Sequence, residues 1–258
     1  MATRASRAHP ALTAYVLHRY DWSESSLILD AFTREQGRIA VAAKGAKRPY
    51  SQLRAVLLPF QCISLTLGRS TETRADSEIQ SLRAADFGGG PAMLTGAALF
   101  SGFYLNELLM RLLARHDPHV ALFDAYAATL TALGRGDDAA GEVALRAFEL
   151  TMLKEIGLLP DLSLETATQL PVDPDARYAV LADVGVGPSR RGEPDVSGST
   201  LVRLQAALDH GSLEALQQVC AAALSELKGV LRSQLHYHLG SSVLRTRQVM
   251  IEAQNLER

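Results

Sequence analysis

The sequence predicts an α+β multidomain chain: an N-terminal β-barrel, then an α-helical domain that carries a small irregular β insertion. Three observations predict it. Short apolar, β-branched runs punctuated by polar turns fill the first third. Beyond the GGGP at residues 88–91 the apolar spacing becomes helical. Residues 158–198 then interrupt that spacing with Pro160, Pro171, Pro174, Pro188 and Pro194. A chain of 258 residues, 47% of them hydrophobic, can bury cores of this size.

The strands come first. YVLHRY, SLILDAFT, RIAVAAKG and FQCISLTLG are separated by DWSES, REQG, KRPYSQ and GRSTET, and a fifth strand is expected within residues 77–85. Arg34-Glu35-Gln36-Gly37 reads as a tight hairpin turn, with Gly37 supplying the permissive backbone. Strands this short, with no useful helix between them, suggest a small closed barrel. Ahead of them MATRASRAHP has no apolar h-region and reads as a polar tail. The expected division is a tail at 1–11, a barrel at 12–87 and a helical domain at 88–258.

The helices follow from apolar spacing. Leu99, Phe103, Leu105, Leu108, Leu109, Leu112 and Leu113 make one broad face. His119, Leu122, Phe123, Tyr126, Leu130 and Leu133 make a second helix, ended by Gly134. Leu145, Phe148, Met152 and Ile156 make a third, ended by Gly157. The insertion at about 158–198 holds one strand-like run, RYAVLADV. Helices resume near Leu201, and Leu213, Leu216, Cys220, Ala223, Leu224, Leu227 and Leu231 read as one face. After Gly240, Ser241 or Ser242 is a natural cap for a last helix, VLRTRQVMIEAQ.

Charge is uneven. Residues 1–85 hold 12 Lys and Arg against 7 Asp and Glu; the remainder holds 14 against 21. Between Gln36 and Thr71 there is no acid at all, yet Arg38, Lys44, Lys47, Arg48, Arg54 and Arg69 fall inside. The first module therefore reads as one that faces a polyanion. Cations on a small barrel neutralise successive phosphates, and nearby aromatics stack bases. Tyr20, Trp22 and Tyr50 are the stacking candidates, whereas Phe32 and Phe60 read as core. By charge alone the target is DNA, RNA or an acidic protein.

Enzyme signatures are missing. KGAKRPYS lacks the spacing of a phosphate-binding loop, and there is no G-x-S-x-G elbow. His116/His119 and His236/His238 have no third ligand nearby in sequence, and the carboxylates are scattered. Cys62 and Cys220, the only cysteines, build neither a disulfide framework nor a thiolate zinc site. TGAALFSGFYLNELLMRLLA is broken by Asn106, Glu107 and Arg111 and reads as a core helix, not a membrane span. A soluble, cytoplasmic protein without catalysis, metal or cofactor is expected.

Four separated stretches carry a family resemblance. WSESSLILDAFTREQGRIAVAAKGAKRPYS, FYLNELLMRLL, ALRAFELTMLKEIGLLPDL and LHYHLGSSVLRTRQ resemble, in order, landmarks of RecO, the bacterial recombination-mediator family. The likeness covers roughly residues 12–250. It implies an OB-fold barrel before the helical domain. It also implies a DNA repair and recombination mediator that binds single- and double-stranded DNA and anneals complementary strands. With RecR, such a protein loads a RecA-type recombinase onto DNA coated by single-strand binding protein. On this sequence the implied DNA contacts are Lys44, Lys47 and Arg48, supported by Arg19, Arg34, Arg38 and Arg54. The implied receptor for the acidic, hydrophobic-ended tail of single-strand binding protein is Arg146, with Leu108, Leu109, Phe123, Leu145 and Leu150 as groove walls. Some relatives carry a four-cysteine zinc module after GLLPDL. Here that region has no Cys, so a metal-free β insertion held by Tyr178, Val180 and Leu181 is expected. The rival readings are an RNA-binding barrel protein and a scaffold whose basic barrel meets an acidic partner.

Overall fold

The structure is a computed structural model, and residues 11–68, 79–90, 93–240, 244–246 and 248–249 are described. The polar tail expected at 1–11 and the cap at Ser241 or Ser242 lie almost wholly outside them. The chain forms two compact units. One comprises the chain up to Met93 together with Leu113–Phe123; the other comprises Leu94–Leu112 and the chain from Asp124 onward.

The first unit is a closed five-stranded barrel. Its strands are β1 (Leu12–Asp21), β2 (Leu27–Thr33), β3 (Gly37–Ala43), β4 (Cys62–Leu67) and β5 (Ile79–Gly89), in the order β1-β2-β3-β5-β4. Every neighbouring pair is antiparallel except β3 and β5. A single turn, α1 (Leu53–Val56), lies between β3 and β4. The inward residues follow the two-residue period of a pleated strand. Ala14 and Val16, Leu29 and Ala31, Ile39, Val41 and Ala43, and Ile63 and Leu65 share one core. The alternation of Ala with larger side chains fills a barrel too narrow for bulky residues throughout. β5 runs to Gly89, so the first two glycines of GGGP belong to a strand rather than to the break.

The β2–β3 turn is fixed by its glycine. Gly37 has φ +68°, and a Cβ there would lie 2.0 Å from the Asp117 carbonyl oxygen. The Thr33 hydroxyl donates to the Gly37 carbonyl at 2.8 Å and accepts from the Gln36 amide at 3.1 Å, closing the turn. Asp117 belongs to Leu113–Phe123, the stretch that packs with the barrel. On the outer side of the sheet Phe123 meets Tyr15 and Phe32, with ring centroids 5.4 and 5.3 Å apart.

The second unit is helical: α2 (Gly96–Leu112), α3 (Val120–Gly134, from Asp124 on), α4 (Asp138–Glu155), α5 (Gly198–His210), α6 (Leu213–Ala222) and α7 (Leu224–Leu239). Their ends follow local chemistry. Asp137 caps the first amides of α4, Ser197 caps α5 and Ser212 caps α6. Gly211 and Gly240 end α5 and α7 in the left-handed conformation. The single face expected over 213–231 is two helices, because the chain leaves the helical region at Ala223 (φ −128°, ψ 22°). Tyr126 donates to Asn106 at 2.5 Å, which satisfies two buried polar groups at once.

The cysteine-free insertion forms a three-stranded antiparallel sheet of β6 (Arg177–Leu181), β7 (Gly185–Pro188) and β8 (Asp195–Ser197), in the order β7-β6-β8. Tyr178, Val180, Val186 and Val196 are buried, whereas Leu181 is half-buried. The Tyr178 hydroxyl accepts from the Asp173 amide at 2.9 Å, and Gln234 of α7 donates to the Val180 carbonyl at 2.7 Å. Packing and hydrogen bonds to α7 thus hold the strands together.

Candidate nucleic-acid interface

The barrel unit carries a cavity of about 780 Å³. It lies between the end of β1 (Arg19, Tyr20, Asp21), the start of β2 (Leu27), the loop after β3 (Ala46, Lys47) and α1 with its flank (Leu53, Arg54, Leu57, Leu58). Its chemistry is mixed: four leucines and an alanine, three cations, the acid Asp21 and the aromatic Tyr20. Arg19 and Arg54 are exposed, and Tyr20 is half exposed. Trp22 (53% exposed) lies in the turn just beyond β1, and Tyr50 (96% exposed) follows the lysine loop. Exposed rings beside cations are the pairing that unstacked bases require.

The seven cations named from sequence do not share one environment. Arg19, Lys47 and Arg54 line the cavity. Lys44 and Arg48 are exposed in the loop after β3 but do not line it. Lys47 is held in place: its ammonium lies 3.1 Å from Asp21 and donates to the Ser23 carbonyl at 3.1 Å. Arg34, at the β2–β3 turn, is half-buried.

Arg38 is different in kind. Its guanidinium grips the Asp30 carboxylate through Nε at 2.9 Å and Nη2 at 3.1 Å, and donates to the Leu113 carbonyl at 2.9 Å. Asp30 is 1% exposed and also receives Arg115 at 3.3 Å. Arg38 therefore fastens Leu113–Phe123 to the barrel, and its charge is spent on a buried acid rather than offered to solvent. Asp30 lies outside the acid-free run, so nothing in the run's composition disclosed this pairing.

The helical unit holds a second cavity, of about 320 Å³. Phe100, Ser101 and Tyr104 of α2, Leu145 and Arg146 of α4, and Lys228, Arg232, Leu235 and His236 of α7 line it, with Leu244 and Thr246. Of the six residues named from sequence for tail capture, Leu145 and Arg146 line this cavity. Leu108, Leu109, Phe123 and Leu150 do not: each is core, and Phe123 packs in the barrel unit. The apolar spacing that suggested a groove is the ordinary inward face of these helices. The walls instead come from Phe100, Leu235 and Leu244, and the added cations from Lys228 and Arg232. Their only sequence signal was the four-residue spacing that puts Lys228, Arg232 and His236 on one stripe of α7.

Arg146 is also half of an ion pair. Glu149, one turn on and fully buried, sets Oε2 2.7 Å from Arg146 Nη1. Its Oε1 accepts from the Tyr104 hydroxyl at 2.6 Å. Burial pushes the Glu149 carboxyl up against the opposing pull of Arg146 and Tyr104. Among the described residues, no group of His, Cys, Asp and Glu suits a metal ion, and no helix is long and apolar enough to cross a membrane.

Comparison with known proteins agrees across both units. The family model for the recombination protein O N terminus matches residues 11–86, and that for its C terminus matches residues 93–248. The chain is 49% identical over 258 residues to the DNA repair protein RecO of Polaromonas sp. (strain JS666 / ATCC BAA-500), spanning 99% of this chain and 100% of that one. It is 51% identical over 248 residues to the DNA repair protein RecO of Polaromonas naphthalenivorans (strain CJ2), spanning 94% and 96%. With the same protein of Variovorax paradoxus (strain S110) it shares 49% over 253 residues, spanning 94% and 96%.

Proposed function

The chain belongs to the RecO family of DNA repair proteins, and from that premise we propose that it is a non-catalytic mediator of recombinational repair. It holds DNA on the barrel and anneals complementary strands. With RecR it helps load a RecA-type recombinase onto DNA covered by single-strand binding protein. The observation that carries the DNA reading is the barrel cavity, where Arg19, Lys47 and Arg54 outnumber the one acid, Asp21, and share the lining with Tyr20 and four leucines. Cations at such a rim neutralise successive phosphates, and annealing then needs no chemistry beyond bringing two neutralised strands together. Lys44, Arg48 and Arg34 extend the contact along the loop and turn, whereas Arg38 supports it only through the fold.

The cavity on the helical unit supports capture of the tail of single-strand binding protein. Phe100, Leu235 and Leu244 suit an apolar end group, Arg146 suits a terminal carboxylate, and Lys228 and Arg232 suit the acids that precede it. Tethering raises the concentration of the barrel near the coated strand, so displacement becomes partly intramolecular.

Fluorescence anisotropy of labelled single-stranded DNA over a salt series tests the DNA reading. Arg19→Ala/Lys47→Ala/Arg54→Ala is expected to bind more weakly, with a salt slope smaller by about two units, since each lost phosphate contact removes about 0.7 on single strands. An unchanged slope refutes the cavity as the phosphate path. Stronger binding of a sequence-matched RNA strand in competition favours the RNA reading instead.

A further inference from the structure

The cation chosen for the tail carboxylate already has a carboxylate. Glu149 is fully buried, and its Oε2 sits 2.7 Å from Arg146 Nη1 without lining up with an N–H of the guanidinium. On the other side of the same guanidinium, the buried Nε finds no acceptor among the described residues. Arg146 is thus only half satisfied, its side chain 14% exposed, and it lines the cavity. Because Arg146 lines the cavity, a ligand acid can reach its guanidinium there, although the orphaned Nε itself is closed to solvent. Arg146 is the cation that touches Glu149; Lys228, paired with Glu142 at 3.3 Å, and Arg232 line the same cavity without an ion pair to it among the described residues.

Resting on the tail-capture reading above, we propose that Glu149, oriented by Tyr104, is the resident counter-ion of Arg146 and takes up a proton when a ligand carboxylate arrives. Two carboxylates on one guanidinium in a site shielded from water repel each other, and the fully buried one is the one water cannot stabilise. A proton from the buffer settles on Glu149 Oε2. The neutral acid keeps the Tyr104 hydrogen bond on Oε1, and Arg146 turns its full charge to the ligand. Burial already favours the neutral form of Glu149. It also keeps the Tyr104 phenol protonated well beyond its ordinary range, so Tyr104 remains a donor throughout.

The charged and titratable groups around Glu149 are Glu142 and Arg146 on α4, Tyr104 on α2, Cys220 on α6 and Arg232 on α7. Lys228 and His236 of α7 line the same cavity. A protonated His236 also favours an anion, so Glu149 has to be isolated by substitution.

The test is titration calorimetry of the full chain with a synthetic Asp-rich peptide ending in Phe with a free carboxylate, in phosphate and in Tris. The difference in heat between buffers counts protons taken up. The wild type is expected to take up a substantial fraction of a proton at pH 7, and its affinity to fall by up to about tenfold per pH unit as the pH rises. Glu149→Gln is expected to lose most of that uptake and to bind several-fold tighter at pH 8, because Arg146 has lost its resident counter-charge. Tyr104→Phe, which leaves the carboxyl in place but removes a donor to its charged form, is expected to shift the pH profile upward. It carries the test alone if Glu149→Gln does not fold, as judged by circular dichroism. Equal uptake in wild type and Glu149→Gln, or an unmoved profile in Tyr104→Phe, overturns the inference and leaves tail capture standing. A wild type that does not bind the peptide, or binds its amidated twin equally, overturns both.

Discussion

Arg38→Ala separates a phosphate contact from a structural anchor. Removing the guanidinium strips Asp30 of a bidentate partner, at 2.9 and 3.1 Å, and leaves a carboxylate that is 1% exposed. Breaking one side of a buried ion pair costs about 3–5 kcal/mol. Arg115 remains on Asp30 at 3.3 Å and recovers part of this, while the bond to the Leu113 carbonyl is lost outright. A net loss of about 3 kcal/mol follows. At a urea dependence of about 2 kcal/mol per molar, the barrel's unfolding midpoint drops by about 1.5 M. Intrinsic fluorescence follows it, because Trp22, the sole tryptophan, lies in the barrel unit. DNA binding below the transition is expected to keep its salt slope. A stability change under about 1 kcal/mol, together with a salt slope reduced by about 0.7, refutes this assignment and returns Arg38 to the phosphate path.

Gly37→Ala is expected to cost about 2–4 kcal/mol: left-handed strain contributes about 1, and the clash with the Asp117 carbonyl contributes the rest; thermal melting checks it. Asp21→Asn releases Lys47 from its ion pair and is expected to raise single-strand affinity about two- to fivefold at low salt, read by anisotropy. Glu107 binds the start of the C-terminal segment: its carboxylate accepts from the Arg245 amide at 3.0 Å and from the Thr246 amide at 2.9 Å. Burial raises its proton affinity, but the Thr246 and Arg245 hydrogen bonds and Arg111 outweigh burial, so its pKa lies below the ordinary value. The contact is therefore fully formed above pH about 4.3 and lost as the pH falls through the lower folded value. Hydrogen-exchange protection of the Arg245 and Thr246 amides, taken relative to the intrinsic rate at each pH, is expected to fall only below pH about 4, and in Glu107→Ala at neutral pH as well.

The barrel strands were legible because their signals are local. Ile63, Leu65 and Leu67 alternate with polar neighbours inside six residues, and Gly37 marks a turn that its own dihedral requires. Helix ends were legible for the same reason, at Gly134 and Gly157, where α3 closes and the chain leaves α4. The break at Ala223 was not: an apolar stripe continues across it, and alanine carries no terminating signal. For the sites, the resemblance and the acid-free run named the cations but not their partners. Asp21, Asp30 and Glu149 decide which of those cations face solvent. Asp21 lies 26 residues before Lys47, and Asp30 eight before Arg38, so neither pairing follows from composition. Only Glu149, three residues after Arg146 on one helix, was close enough to be read from spacing.

By itself, the sequence determined the class of each module and the family. The module classes rest on periodicity and turn chemistry, which are sums over neighbours along the chain, and the family on four separated stretches that resemble it. The tertiary structure alone decided which apolar residues line the helical cavity: Leu108, Leu109 and Leu150 pack away from it, while Phe100, Leu235 and Leu244 line it. It also decided that Arg38 holds the fold together while Arg19, Lys47 and Arg54 meet at one rim. The reason is physical. Lys47 and Arg146 each carry a resident acid that a ligand has to displace or neutralise, whereas Arg38 is locked to a buried one, and those pairings depend on distances the chain acquires only when folded.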